Sequence, residues 1–229
     1  MRRLWCMCVN LSAAGDCQNG GHHTGMKEQN LTKTRNVILT GVGGQGNVMA
    51  SRALAHMLVD AGYVVTIGET FGMSQRGGSV MSHLRVSPDS VKSPQIPRGG
   101  ADVIVGLEPL EALRVLTVYG NPQVCVLYNS RPVYPIGVIT GELSYPSGET
   151  IRNAFERLSS RYWEIDATSV GLKLGNPVLS NIVMIGALAK TGLLPFDRRS
   201  FEKEIKKTLS VGKYKINLKA FDAGADMIK

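Results

Sequence analysis

The chain has 229 residues, 43% of them hydrophobic and 19% charged, a balance typical of one globular domain with a substantial core. No apolar run reaches the roughly 18 residues that a membrane-spanning helix needs, so no membrane association is expected. The formal net charge of +8 favours an acidic partner or an anionic ligand. No run of Lys and Arg is interleaved with aromatic residues, so nucleic acid is not an expected partner.

The amino end differs in composition from the rest of the chain. Residues 1–25 hold three of the four cysteines and two histidines, without hydrophobic periodicity or the paired spacing of common zinc modules. No metal site is therefore predicted there. We expect residues 1–33 to be a disordered or upstream extension and residues 34–229 to form a single domain. Since that domain contains only Cys125, disulfides are not expected, and a reducing, cytoplasmic location is.

A short apolar strand, a glycine turn and an amphipathic helix follow in order. Residues 36–40 are apolar and β-branched and predict a strand. Apolar residues recur at helical spacing over residues 50–61 and predict a helix. The turn between them, residues 41–46, matches G-x-G-x-x-G in the strand–turn–helix context of that motif. Glycines allow the tight turn, and bare N–H groups at a helix N-terminus favour a phosphate or carboxylate.

A second apolar segment, residues 63–68, predicts a buried strand one helix after the first. The first β–α–β unit is therefore expected to be Rossmann-like, parallel and right-handed. Glu69 closes this strand, 23 residues beyond Gly46. An acid at that point of a dinucleotide-binding fold holds the ribose hydroxyls. A self-contained NAD- or flavin-binding oxidoreductase therefore remains an alternative, as does a non-enzymatic nucleotide-binding regulator.

The next segment, residues 69–79, is a glycine-rich loop with many hydrogen-bond donors. It contains three glycines, two serines, one glutamine and Arg76. Such a loop can present donors and a cation to an anion beside the strand ends, where open sheets bind ligands. The alternative is a connecting surface turn with a solvated arginine.

Strands and helices continue to alternate along the rest of the chain. Strands are predicted over residues 80–86, 102–108, 123–128 and 162–167, and helices over residues 109–119, 149–160, 176–191 and 198–209. Residues 129–146 are expected to be irregular, with short β pieces. The pattern predicts an α/β fold with three α/β/α layers around an open, mostly parallel (mixed) sheet.

Two further features of this part of the chain carry alternatives. His83 is interpreted as a packed or solvated strand residue rather than a catalytic base. Eight Lys and Arg lie between residues 198 and 219. They predict either a solvated helix face or a docking surface for an acidic partner or phosphate-bearing ligand.

The sequence contains no recognisable set of bond-making residues. One cysteine in the domain cannot hold a four-thiolate iron–sulfur cluster. The P-loop, nucleophile-elbow and H-E-x-x-H motifs are absent, as is a paired-carboxylate constellation. No catalytic residue and no metal ligand are predicted. A chain equipped to bind an anion without bond-making residues is typical of a subunit.

Several motifs resemble one known family. The motifs are residues 41–46, 68–80 and 99–102, in that order. They are similar to the gamma subunit or gamma domain of the 2-oxoacid:ferredoxin oxidoreductases, over about residues 34–200. Together with residues 175–177 and 192–195, the run Met73–Ser79 most resembles the beta subunit of the indolepyruvate-type enzymes. One position differs, since Phe71 stands where many arylpyruvate-type members have a histidine.

The resemblance implies a division of labour within a complex. A partner subunit would hold thiamine diphosphate, Mg and the iron–sulfur clusters, decarboxylate the 2-oxoacid and pass electrons to ferredoxin. This chain would complete the active site and help to accommodate coenzyme A as co-substrate. The predicted cofactor-binding residues are Gly41, Gly43, Gly44, Gln45, Gly46, Met73, Ser74, Gln75, Arg76, Gly77, Gly78 and Ser79.

Overall fold

The computed structural model describes residues 31–70, 78–134, 136–142 and 144–229. The strands are β1 (Arg35–Val42), β2 (Val64–Thr70), β3 (Ser79–Ser87), β4 (Val103–Gly106), β5 (Cys125–Asn129) and β6 (Arg161–Ile165). The helices are α1 (Asn47–Asp60), α2 (Pro109–Tyr119), α3 (Ile136–Ile139), α4 (Gly148–Leu158), α5 (Ala167–Lys173), α6 (Ser180–Thr191), α7 (Arg198–Thr208) and α8 (Val211–Asp226), with a 3-10 helix over Pro177–Leu179. The predicted alternation of strands and helices is confirmed.

The strands form one open sheet in the order β2-β3-β1-β4-β5-β6. β3 pairs antiparallel with both of its neighbours, and all other pairs are parallel. The predicted mostly parallel, mixed sheet is confirmed. One feature was not predicted: β3 lies between β1 and β2. The two strands of the first β–α–β unit therefore run in the same direction about 10 Å apart, instead of pairing.

Local capping chemistry begins three helices at their predicted positions. The Glu108 carboxylate accepts a hydrogen bond from the Glu111 N–H at 2.7 Å, and Pro109 opens α2. Ser147 and Asp197 accept in the same way at the starts of α4 and α7, at 3.1 and 2.9 Å. These contacts satisfy N–H groups that have no partner within the helix.

Helices cover both faces of the sheet, which confirms the three-layer architecture. On one face, α1, α5, α6, α7 and α8 enclose a core that includes Leu39 and Phe221. On the other face, α2 and α4 enclose a core that includes Ile38 and Phe155. Because successive strand residues point to opposite faces, Ile38 and Leu39 of β1 belong to different cores.

Two glycines allow α6 and α8 to cross at very short distance. A Cβ on Gly186 would overlap the Phe221 carbonyl oxygen, and a Cβ on Gly224 would overlap the Val183 carbonyl oxygen. The backbones of the two helices therefore touch directly at this crossing. A side chain at either position would force the helices apart.

A few elements differ from the predictions. Residues 136–139 form the short helix α3, so the described part of the β5–α4 connection lacks the expected β pieces. Helix α8 had no predicted counterpart, because its two glycines and three lysines give a weak local helix pattern. Packing against α6 stabilises this helix, because its local sequence pattern is weak. The Leu31 N–H donates to the Tyr63 hydroxyl at 3.2 Å. Among the described residues, no helix is long and apolar enough to cross a membrane.

Candidate functional site

The glycine turn lies at the carboxyl edge of the sheet, between β1 and α1. Gly44 and Gly46 have φ values of 102° and 81°, in the left-handed region that other residues rarely adopt. Among the described residues, a Cβ on Gly44 would meet no atom within 4 Å, whereas one on Gly46 would overlap the Asn181 amide. The turn is therefore open at Gly44 and packed against α6 at Gly46.

The side chain of Gln45 points into the protein. Its Oε1 accepts from the Val42 N–H at 2.7 Å, and its Nε2 donates to the Leu107 carbonyl at 3.0 Å. Both ends of the amide are thus used within the protein, and they tie the turn to the end of β4. The Gln45 side chain therefore positions the turn and does not point outward as a donor.

The β1–β3 ladder brings the two predicted motifs together. The Gly43 N–H donates to the Gly78 carbonyl at 2.8 Å, and Val42 pairs with Ser79. The predicted residues Met73, Ser74, Gln75, Arg76 and Gly77 lie outside the described residues. Both flanks of that segment lie at the carboxyl edge, because β2 ends and β3 begins there.

An arginine that the sequence analysis did not single out lies beside this contact. Arg114 of α2 donates from Nη2 to the Ser79 hydroxyl and, at 2.6 Å, to the Glu111 carboxylate. Its side chain is half exposed. The spacing of Glu111 and Arg114 indicates a pair on one helix face, but only the tertiary fold brings that pair to β3.

A buried amide links the glycine turn to the next strand ends. Asn129, at the end of β5, donates from Nδ2 to the same Leu107 carbonyl that Gln45 uses, at 3.2 Å. Its Oδ1 accepts from the N–H groups of Ala167 and Thr168 at 3.1 and 3.2 Å. The ends of β1, β4 and β5 are therefore held in fixed relative positions. A polar residue at the end of an apolar strand was the available sequence signal.

Glu108 is a buried carboxylate at the same edge. Besides capping α2, it accepts from the Val133 N–H at 3.4 Å and from the Tyr145 hydroxyl. Burial raises the pKa of the Glu108 carboxyl, and the hydrogen bonds from Tyr145 and the backbone oppose that rise. The carboxylate thus fixes two points of the β5–α4 connection against the start of α2.

Helix α1 begins without a side-chain cap, unlike α2, α4 and α7. Its first residue, Asn47, is buried and donates to the Leu39 carbonyl at 3.3 Å and the Ser82 hydroxyl at 3.4 Å. Among the described residues, no side chain accepts a hydrogen bond from the first N–H groups of this helix, which begins beside Gly44. Backbone donors at such an end suit an oxyanion.

Exposed apolar side chains flank the turn. Met49, in the first turn of α1, is 68% exposed, and Val178 lies beside Gly46 with 44% of its surface exposed. Tyr134 and Ile139, in the connection that follows β5, are also exposed. Exposed apolar groups beside the turn suit a surface that contacts another protein.

Glu69 lacks the environment expected of a ribose-binding acid. Its two carboxylate oxygens lie 3.4 Å from Nε and Nη2 of Arg52 on α1, and only 10% of its side chain is exposed. In addition, β3 separates its strand from β1. Glu69 is therefore not placed to hold the ribose of a dinucleotide. The NAD- or flavin-binding alternative depended on that role.

His83 is packed in the interior, with 2% of its surface exposed. Its Nδ1 accepts from the Ile96 N–H at 3.3 Å, and its ring meets Tyr119 edge-on at 5.2 Å between centroids. Burial lowers the pKa of the imidazole to about 4. A neutral, enclosed ring of this kind is the packed residue that the sequence suggested.

Ion pairs occupy half of the basic stretch at the carboxyl end. Arg198 pairs with Asp222, and Lys206 pairs with Glu202. Lys203 and Lys207 both contact Asp60 of α1 at 3.0 and 2.8 Å. These pairs join α7 to α1 and α8 at the surface, as a solvated helix face does. The docking surface stays a prediction.

Comparison with known proteins shows the family of this chain. The sequence model of the pyruvate ferredoxin/flavodoxin oxidoreductase family matches residues 36–227. The chain belongs to this family. It is 37% identical over 198 residues to the indolepyruvate oxidoreductase subunit IorB of Pyrococcus horikoshii, which covers 86% of this chain and 97% of that protein. It is 36% identical over 189 residues to the IorB subunit of Archaeoglobus fulgidus, covering 82% and 92%.

Solved structures agree on the fold. The pyruvate oxidoreductase subunit PORC of Thermotoga maritima superposes with a TM-score of 0.64 at 21% identity, covering 86% of this chain and 98% of that one. The keto/oxoacid ferredoxin oxidoreductase gamma subunit of Geobacter sulfurreducens has a TM-score of 0.59 at 20% identity, covering 84% and 97%. The resemblance drawn from the sequence motifs is confirmed.

Proposed function

We propose that this chain is a non-catalytic subunit of an indolepyruvate-type 2-oxoacid:ferredoxin oxidoreductase. Its 37% identity to an indolepyruvate oxidoreductase subunit, over nearly that subunit's whole length, carries the proposal. In the complex, a cytoplasmic partner subunit holds thiamine diphosphate, Mg and the iron–sulfur clusters. That partner decarboxylates the 2-oxoacid to the acyl level and reduces ferredoxin. This chain completes the active site and helps to accommodate coenzyme A.

The open side of the glycine turn supports a binding role. Within the described part of the chain, no atom occupies the space in front of Gly44, and the uncapped start of α1 adjoins it. The half-exposed Arg114 contributes a cation near Ser79. Backbone donors and a guanidinium fit the phosphate groups of an acyl carrier such as coenzyme A. None of these groups is suited to move a proton from a substrate, so their role is to bind and orient.

The exposed apolar side chains around the turn support the subunit role. Met49 lies in the first turn of α1 and Val178 beside Gly46, and Tyr134 lines a pocket with Pro109 at the start of α2. A partner that docks on them would enclose the glycine turn between the two chains. Water would then be excluded from the ligand at that turn, which strengthens its polar contacts.

Arg76 is the residue whose replacement tests this proposal. It belongs to the segment whose two ends return to the carboxyl edge beside the glycine turn. In the complex reconstituted with the partner subunit, Arg76→Ala should raise the half-saturating concentration of coenzyme A or oxoacid about ten- to a hundredfold. Decarboxylation with an artificial electron acceptor should be retained. Arg157→Ala, which replaces an exposed arginine in the last turn of α4, is the matched control and should leave both values unchanged.

Two outcomes would contradict the division of labour. Loss of decarboxylation at saturating substrate in Arg76→Ala would make this residue catalytic. Unchanged binding constants and unchanged assembly would make residues 71–77 a simple connection. Tight NAD or FAD binding by the chain without its partner, measured by calorimetry, would restore the dinucleotide alternative.

A further inference from the structure

A groove with two arginines lies at the amino edge of the sheet, opposite the glycine turn. It runs between the β3–β4 connection and the C-terminal end of α2, and its volume is about 490 Å³. Its position follows from Arg85, which pairs with Asn36 at the start of β1. Arg85 and Arg98 line this amino-edge groove, together with polar and apolar residues, and no acid of the described chain lines it.

Arg85 is held in one orientation without losing its charge. Its Nε donates to the Asn36 Oδ1 at 3.0 Å, and its Nη1 donates to the Ser93 carbonyl at 3.2 Å. Both partners are neutral, and no carboxylate in the described ranges lies within ion-pair distance. The guanidinium is therefore preorganised, with further N–H groups left to bind an oxyanion.

Arg98 supplies a second positive charge at the rim of the groove. It is exposed, and it has no hydrogen-bond or ion-pair partner within the part of the chain that the structure describes. The turn that carries it is fixed, because the Gly100 N–H donates to the Pro97 carbonyl at 3.0 Å. A fixed backbone with a free guanidinium can close on a ligand by side-chain movement alone.

The walls of the groove are tied together by backbone hydrogen bonds. The N–H groups of Gly99 and Ala101 donate to the carbonyls of Val118 and Tyr119 at 3.2 and 2.9 Å. Beneath the groove, the neutral His83 ring anchors Ile96, so this support adds no charge of its own. The two arginines therefore stand on a rigid frame, which lowers the entropic cost of binding.

We propose that the amino-edge groove binds the phosphate or carboxylate group of a small anionic molecule, with Arg85 and Arg98 as its ligands. Pro97 and Val118, which are exposed in the lining, would contact the organic part of that molecule. The site shares no residue with the glycine turn and lies at the other edge of the sheet. The proposal for this groove is therefore independent of the proposed function.

Titration of the full-length, isotopically labelled chain with inorganic phosphate, followed by amide NMR at low salt, tests this site. Saturable shifts are expected at residues 93–98 and 118–119. Arg98→Gln should weaken phosphate binding about tenfold, and Arg85→Gln at least as much. Lys173→Gln removes one positive charge from α5 on the other face of the sheet, and should change affinity less than twofold. A parallel titration with succinate shows whether a carboxylate serves equally well.

Three results would overturn the proposal. Equal weakening by Arg98→Gln and Lys173→Gln would mean that only the overall charge attracts phosphate. Shifts confined to residues 41–48 would place the anion at the glycine turn instead, which leaves the proposed function intact. Shifts that do not saturate would mean that the groove holds no site. Since Arg98 has no partner in the described structure, its replacement tests binding without disturbing the fold.

Discussion

The glycine turn and the α6–α8 crossing both depend on glycine, for opposite physical reasons. At the turn, Gly44 has a left-handed backbone and open space where a side chain would be. At the crossing, Gly186 and Gly224 leave no space at all, because a carbonyl oxygen of the facing helix occupies it. The first arrangement leaves backbone accessible, and the second buries backbone between two packed helices. In this chain, the space in front of a glycine therefore distinguishes an accessible turn from a helix–helix contact.

The largest expected effect is at the crossing. Gly224→Ala should destabilise the domain by about 3 kcal/mol, because its methyl group would displace α6 from α8. Gly212→Ala, in the first turn of the same helix, is the matched control because no atom lies within 4 Å of its Cβ position. It should be neutral or slightly stabilising. Denaturant unfolding measures both. Similar values for the two variants would mean that the helices do not touch at Gly224.

Gly46 combines the two situations and should give an intermediate effect. Gly46→Ala should cost about 2 kcal/mol, from its left-handed φ and from overlap with the Asn181 amide. Asn181→Ala removes that amide, so the double variant should recover about 1 kcal/mol relative to additivity. Strict additivity in this double-mutant cycle would place the cost in the backbone alone.

Acid should lower the free energy of unfolding through His83, which belongs to neither glycine region. The folded-state pKa of His83 is about 4, below its usual 6.5, so the unfolded chain takes up the proton first. Its stabilising contribution is complete above about pH 6.5 and is lost as the pH falls towards 4. About 2 kcal/mol should disappear between about pH 7.5 and pH 5.

His83→Asn isolates this contribution from those of the carboxylates. The asparagine oxygen can still accept from the Ile96 N–H but does not titrate in this range. Unfolding free energies should therefore fall less steeply with acid in the variant than in the parent chain. Parallel pH profiles for the two proteins would exclude His83 as the cause. Assembly with the partner subunit can be measured over the same pH range. A fall in assembly that parallels the fall in unfolding free energy would show that assembly depends on stability alone.

Gly44 should give the smallest effect on stability and the clearest effect on binding. Gly44→Ala should cost about 1 kcal/mol of stability because of its left-handed φ. Gly62→Ala is a close control, with a φ of 92° and equally open space at the other end of α1. Only Gly44→Ala should weaken coenzyme A binding or subunit assembly. Equal effects of both variants in those assays would separate the turn from the ligand.

Local chemistry made much of this fold predictable. The strand, turn and helix over residues 35–60 follow from hydrophobic periodicity and glycine spacing within about 25 residues. The starts of α2, α4 and α7 follow from Pro109, Ser147 and Asp197, whose effects reach no further than one helical turn. The family resemblance was available for the same reason, since its motifs are continuous segments of sequence.

What the sequence by itself determined, then, was the alternation of elements and the glycine turn between the first strand and the first helix. Only the tertiary structure decided that β3 separates β1 from β2 and that the Gln45 amide turns inward to Leu107. It also brought Asn181 to Gly46, 135 residues away along the chain. These features depend on atoms that distant segments bring into contact. A glycine has the same local signature whether it faces a ligand, solvent or another helix, so its purpose is decided by what the fold places in front of it.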